Sequence, residues 1–356
     1  MSLICRRPGR VEMRQFGYTI IELMIAITIS LIILASLVAI FANNSRTRAE
    51  IERANQQTEN GRYALQVIVD DLHNAGYLAE LNPAPLATPG TKPDPCNTTL
   101  AVLNGALPLA VQGYDNGATP ALTCVSDLRP GTDILVVRHA STCAVGSAGC
   151  DPNVLGDTYF QTSACNSPTE LASGNVNNYF VLDTNPANFT LHQKDCVTLA
   201  NQYQYRTHIY FVANNDNAGD GIPTLKRAEL GLGIFSIVPL VEGIENLQIE
   251  YGLDTGVPTT GSPAVYNANP DTYNAACGTT PSICVGYWRN VVAAKINVLA
   301  RNTSTTQGYV DNKVYTLGLL ADGITANTVG PFNDAYKRHA YGSVVKLNNP
   351  AGRNSP

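Results

Sequence analysis

Residues 23–42, LMIAITISLIILASLVAIFA, are twenty consecutive positions without a charge. At about 1.5 Å per residue, a helix of that length covers roughly 30 Å, the hydrocarbon depth of a bilayer. Thr28, Ser30 and Ser36 are mild polar breaks, and hydroxyls in a helix can bond back to the preceding turn. A buried core helix fits less well, because the run has no polar face and stands on the N-terminal side of everything else. The expectation is a transmembrane helix.

The flank before the run carries Arg6, Arg7, Arg10 and Arg14 against one acid, Glu12. That bias predicts a cytoplasmic N-terminus and an outward-facing bulk. A secretory signal peptide would have a shorter apolar region and a small-residue cleavage site after it. Here the run continues into a polar, amphipathic stretch, so the anchor is expected to be retained. Glu22 stands at the edge of the run. A carboxylate in apolar surroundings is expensive, so it stays near the headgroups or finds a cation. If the chain were cut after Gly17, the new amine would be on Tyr18 and Glu22 would lie one helical turn away. The simpler reading, that Glu22 only marks the membrane edge, leaves GYTIIEL unexplained as a unit.

A basic leader, a glycine, an aromatic, Thr19, an acid and an apolar run occur here in order. The stretch resembles the class III prepilin signal of type IV pilins and type II secretion pseudopilins. The resemblance implies that a prepilin peptidase cuts between Gly17 and Tyr18 and that the new N-terminus is methylated. It implies an assembly role for Glu22, pairing with the terminal amine of a neighbouring subunit. Tyr18 departs from the phenylalanine more usual at that position. The leader of seventeen residues is long for this family; a start at Met13 would shorten it to MRQFG and remove Cys5.

The chain holds 23 basic and 28 acidic residues. Without residues 1–17 the balance is 19 to 27, a net charge near −8. No basic tract points to a nucleic-acid partner. Beyond Cys5 there are eight cysteines: Cys96, Cys124, Cys143, Cys150, Cys165, Cys196, Cys277 and Cys284. None forms a CxxC pair, and nearby histidines supply no zinc pattern. An even number in a Gly/Asn/Thr-rich background on the exported side predicts disulfides. Of the 105 possible pairings, Cys143–Cys150 and Cys277–Cys284 are favoured because each closes a short, turn-rich loop. The other four are expected to pair with their neighbours in sequence.

Past the membrane run, Ile51, Ala54, Thr58, Gly61, Leu65, Ile68 and Leu72 recur at spacings of three and four. This is one stripe of a helix, expected to run from 18 to 75 and stop at Gly76. The stripe is too short and too polar for a coiled-coil seam, so the helix is expected to lie against a sheet. Asp70 and Asp71, being adjacent, point to different faces and read as solvent or subunit contacts rather than a catalytic pair.

Residues 77–131 are dense in Pro and Gly and exclude long regular elements. Strands are expected at 132–140, 179–182, 189–192, 202–213, 225–230, 247–251 and 290–302, and again within YGSVVKLNN near the end. Asp216, Asn217, Asp220 and Gly221 hint at a calcium loop, but the twelve-position spacing and terminal Glu are missing, which favours a plain hairpin turn. The order predicts an α+β, pilin-like fold: a long N-terminal transmembrane and amphipathic helix packed on an antiparallel sheet, with a large disulfide-bonded loop insertion. The divisions are a leader at 1–17, the helix at 18–76 with its membrane part at 18–42, a variable region at 77–200, a sheet at 201–349 and a tail at 350–356.

GRYALQVIVDDLHNAGY, LVEGIENLQIEYGLD, WRNVVAAKINVLARN and AYGSVVKLNN resemble PilW-like minor pilins and, more distantly, the J-type minor pseudopilins. The resemblance covers 14–80 and 200–348. It implies a minor pilin that co-assembles at the pilus tip and supports the start of polymerisation. Its partners would be other minor pilins, the major pilin, the prepilin peptidase, an inner-membrane assembly platform and, before assembly, membrane lipid. It would sit in the inner membrane as a single pass with its head in the periplasm, and in the pilus after assembly. A pseudopilin of type II secretion and an adhesive or DNA-capturing tip module are the alternatives. GxSxG, HExxH and phosphate-loop motifs are absent, and the five histidines are widely separated, so neither an enzyme nor a cofactor is expected.

Overall fold

The computed structural model describes residues 17–117 and 121–354. The leader residues 1–16, with Cys5 and Met13, lie outside them. The chain divides into one unit ending at Glu52 and a second beginning at Arg53.

Helix α1, Ile20–Asn74, is 55 residues long. Its first part, through Ala42, is exposed at every position, and Thr28, Ser30 and Ser36 donate to the carbonyls of Met24, Ala26 and Ile32 at 2.7–2.9 Å. The polar breaks are thereby satisfied within the helix. In the second unit, the face of α1 that is buried holds Gly61, Ala64, Ile68, Asp71 and Leu72. Gly61, Ile68 and Leu72 of the anticipated stripe lie on it. Ile51 and Ala54 are exposed. The contact face instead begins on polar residues: Arg53 Nη1 donates to the Thr305 carbonyl at 3.3 Å, and the Gln57 amide donates to the carbonyls of Ala300 and Lys337 at 2.9 and 2.8 Å. The Lys337 carbonyl also accepts the Asn302 N–H at 3.0 Å, so Gln57 adds a donor that ties the helix to two carbonyls at once, which an aliphatic side chain could not do. The helix ends as Gly76 turns to φ +70° and donates its N–H to the Arg138 carbonyl at 2.8 Å.

The elements after α1 are α2 (Leu100–Ala106), β1 (Val111–Tyr114), β2 (Ile134–Ala144), β3 (Tyr159–Thr162), β4 (Phe180–Asp183), β5 (Gln202–Ala213), β6 (Thr224–Gly231), β7 (Ile234–Glu242), β8 (Ile244–Leu253), β9 (Val265–Asn267), α3 (Pro281–Arg289), β10 (Val291–Arg301), β11 (Tyr315–Leu319), β12 (Ala326–Val329), β13 (Arg338–Lys346) and α4 (Asn348–Asn354). All pairings between these strands are antiparallel. A seven-stranded sheet is built around β5, which has β2 on one side and β3 then β6 along the other, with β1, β4 and β7 outermost. Strands from both sides of residue 200 therefore share one sheet. A four-stranded sheet runs β13-β10-β8-β9, and β11 pairs with β12.

The chain passes from the first sheet to the second at Gly243, between β7 and β8. Its φ is +75°, and a β-carbon there would stand 2.6 Å from the Arg301 carbonyl oxygen, so only glycine makes the step. All ten residues of β8 are buried, covered on both faces. The largest core cluster joins Ala64, Ile68 and Leu72 of α1 to Leu135, Tyr210, Leu247, Ile249, Ile296 and Val298 of the sheets. Residues 189–192 form no strand; His192 makes an isolated bridge to Leu199. Residues 350–354, expected as a tail, are helical in α4.

Disulfides join Cys96 to Cys124, Cys143 to Cys150, Cys165 to Cys196, and Cys277 to Cys284. In the loop at 214–221, Asp220 accepts the N–H groups of Asp216, Asn217 and Ile222. Its carboxylate is employed in closing the turn.

Candidate functional site

Gly17 and Tyr18 precede α1, and Tyr18 is 90% exposed. A processing enzyme would meet an uncovered chain there. Glu22 is exposed as well. Its Oε2 accepts the Thr19 N–H and the Thr19 hydroxyl, both at 2.9 Å, and Thr19 Oγ1 accepts the Glu22 N–H at 3.2 Å. Thr19 and Glu22 thus form a reciprocal capping box at the start of the helix. The spacing T-x-x-E in TIIE was the available signal for it.

A second constellation was not anticipated. Asp71 was expected at a solvent or subunit surface; it is buried, while Asp70 is exposed. One step along a helix turns a side chain by about 100°, enough to place one of two adjacent acids inside. His139 of β2 sits opposite Arg206 of β5, and His208 lies two residues further along β5, on the same face. The His139 and His208 rings meet edge to face with centroids 5.6 Å apart. His139 Nε2 is 2.9 Å from Asp71 Oδ1, and His208 Nδ1 is 2.9 Å from Asp71 Oδ2. The Tyr210 hydroxyl donates to Oδ2 at 2.9 Å.

Burial alone would raise the Asp71 carboxyl. The charge of His208 and the hydrogen bonds from His139 and His208 outweigh it and hold the group well below the usual carboxylate range. Burial, then the Asp71 charge, pushes the Tyr210 phenol well up, so its hydroxyl remains a donor. A cavity of about 470 Å³ opens on the cluster, lined also by Tyr63, Ser141, Thr142, Arg206 and Arg227.

Two sequence families are matched. Residues 13–38 match the prokaryotic N-terminal methylation motif. Residues 209–349 match the type IV pilus-assembly protein W family. The chain carries a PilW domain behind a prepilin signal. Matching begins within β5, so the PilW segment includes Tyr210 but neither His139 nor His208. A type IV-like pilin from Thermus thermophilus is similar over 83% of this chain and 96% of its own, with a TM-score of 0.36 and 11% identity. No curated protein matches. The chain thus joins a prepilin-type signal and an exposed apolar helix to an α+β head that holds four disulfides among the described residues.

Proposed function

We propose that this chain is a minor pilin that co-assembles with other minor pilins and the major pilin near the pilus tip and helps start or support type IV pilus assembly. The observation that carries the reading is the apolar part of α1, which follows a prepilin signal and whose side chains none of the described residues cover. Before assembly, lipid would cover it; after assembly, the helices of neighbouring subunits would. The subunit waits as a single pass in the inner membrane with its head in the periplasm. A prepilin peptidase removes the leader between Gly17 and Tyr18, and an assembly platform moves the subunit into the filament. There the Tyr18 amine and Glu22 of adjacent subunits neutralise each other, a pairing whose value rises as water and lipid headgroups are left behind. The role is structural and non-catalytic.

Intact-mass analysis of the membrane form tests the first step: the expected N-terminus is a methylated Tyr18. An uncut chain, or cutting after Ala42, would overturn the reading. Cross-linking from isolated pili, mapped to peptides, tests the partners; cross-links to other pilins are expected.

A further inference from the structure

We propose that Asp71, His139 and His208 form a binding site for a borderline divalent transition-metal ion of the zinc class. The inference stands apart from the pilus role. These three side chains each offer one ligand atom, all within 4.8 Å of one another, and all three residues are buried. Two imidazoles and one carboxylate are donors for zinc and its neighbours; calcium and magnesium take oxygen ligands.

The hydrogen bonds of His139 make the case specific. Its Nδ1 lies 2.8 Å from the Ala140 carbonyl and its Nε2 lies 2.9 Å from the Asp71 carboxylate. Both partners are acceptors, and a neutral imidazole has one N–H. With Nδ1–H donating to Ala140, what lies between Nε2 and Asp71 must be positive: a second proton or a metal ion. A ring N–H on a backbone carbonyl, with the other nitrogen turned to the ion, is the arrangement by which metal-binding histidines are oriented. Tyr210 does the same for the carboxylate.

Bonds near 2.0–2.1 Å at a tetrahedral angle separate ligand atoms by about 3.3 Å. The spacings here, from 2.9 Å up to the 4.8 Å limit, bracket that value. The adjoining cavity supplies a path and an open fourth position. Its two cations are already paired: Arg206 with Asp151, and Arg227 with Glu229 and the Tyr210 hydroxyl. Asp70 adds a negative charge at the cavity wall. A bound ion would tie the end of α1 to β2 and β5, three elements far apart in sequence.

The test is a cobalt(II) titration of the untagged, full-length chain in detergent, followed by zinc displacement. One equivalent of cobalt should give a visible d–d absorption that zinc abolishes. Zinc at a hundredfold over its dissociation constant should raise the folding constant about a hundredfold. His208→Gln should weaken binding at least tenfold, whereas a His73→Ala/His192→Ala/His339→Ala triple variant should bind as the parent does. No band at tenfold cobalt excess, an unaltered band in His208→Gln, or a band lost in the triple variant would each overturn the site. Should His208→Gln not fold, X-ray absorption on the zinc-loaded parent decides: two imidazole ligands support the proposal, and one or none refutes it.

Discussion

Gly61 of α1 lies directly against the ring of Tyr341 in β13. A β-carbon on Gly61 would stand 2.9 Å from Tyr341 Cζ and closer still to the ring edge. The helix and the four-stranded sheet therefore approach through a glycine that sequence periodicity had placed in an apolar stripe, but for which packing gives the reason. Gly61→Val should destabilise the head by about 1–3 kcal/mol, whereas Gly61→Ala also gains roughly 1 kcal/mol of helix propensity and should cost less. Denaturant melts of the two variants, and of Gly61→Val/Tyr341→Ala, make the measurement. Removing the ring should rescue most of the valine penalty; strict additivity would show that the two residues do not clash.

Glu22 has two separable jobs. As the third helical residue it caps the helix through Thr19; as a charge it is proposed to meet a neighbour's amine. Glutamine can serve in a capping box but carries no charge. Glu22→Gln should leave the membrane level intact and reduce pilus number, and Glu22→Ala should do the same. Piliation equal to the parent in Glu22→Gln, at matched expression, would confine Glu22 to the capping role.

The disulfides should differ in worth by loop length. Cys165–Cys196 and Cys96–Cys124 close separations of 31 and 28 residues; the other two close 7 each. On chain-entropy grounds the long loops are worth roughly 3.5 kcal/mol and the short ones roughly 2.5 kcal/mol. Paired Cys→Ser variants should lose stability in that order in thermal melts. Non-reducing peptide mapping of envelope protein should recover the four bridges, and eight free thiols would contradict them.

Asp133 gives a pH signature. It is buried, and burial pushes its carboxyl up to about 8 despite backbone N–H bonds from Asn116 and Ile249. The folded state thus holds a proton that the unfolded chain gives up near its ordinary value of about 4. The contribution is fully present below pH 4 and is lost as pH rises to about 8, at no more than about 1.4 kcal/mol per pH unit. Asp133→Asn should flatten that slope between pH 4 and 8. Parallel urea melts across this window check it; identical slopes in parent and variant would mean that Asp133 is ionised throughout.

What could be read from the chain followed the physical signals it carries. Residues 202–213 were expected as a strand because they alternate, and β5 has those bounds. Its alternation lapses from Thr207 onward, where both faces are covered. β8 was read as five residues rather than ten: Leu247 to Tyr251 alternate with Gln248 and Glu250, but the adjacent polar pair Glu245 and Asn246 and then Gly252 break that alternation at either end. Residues 189–192 look apolar enough for a strand, but hydrogen bonds around Asp183, Asn185 and Asp195 fold the flanking chain into turns. The cluster at Asp71 was illegible for a different reason. Its members are brought together by the register of β2 on β5 and by the rotation of α1, and neither is written in local spacing. Histidines at 139 and 208 become neighbours only once Val137 is known to pair with His208.

The end of α1 also has a clock. The carbonyls of its last residue, Asn74, and of Ala75 just beyond it accept the Asn349 amide at 3.4 and 3.1 Å, from 275 and 274 residues further along the chain. At about 5–20 residues per second, synthesis reaches Asn349 roughly 14–55 s after Ala75. For that interval the turn leading out of the helix has to persist without its final donor. A nascent chain stalled within it would present a helix end that lacks the Asn349 amide.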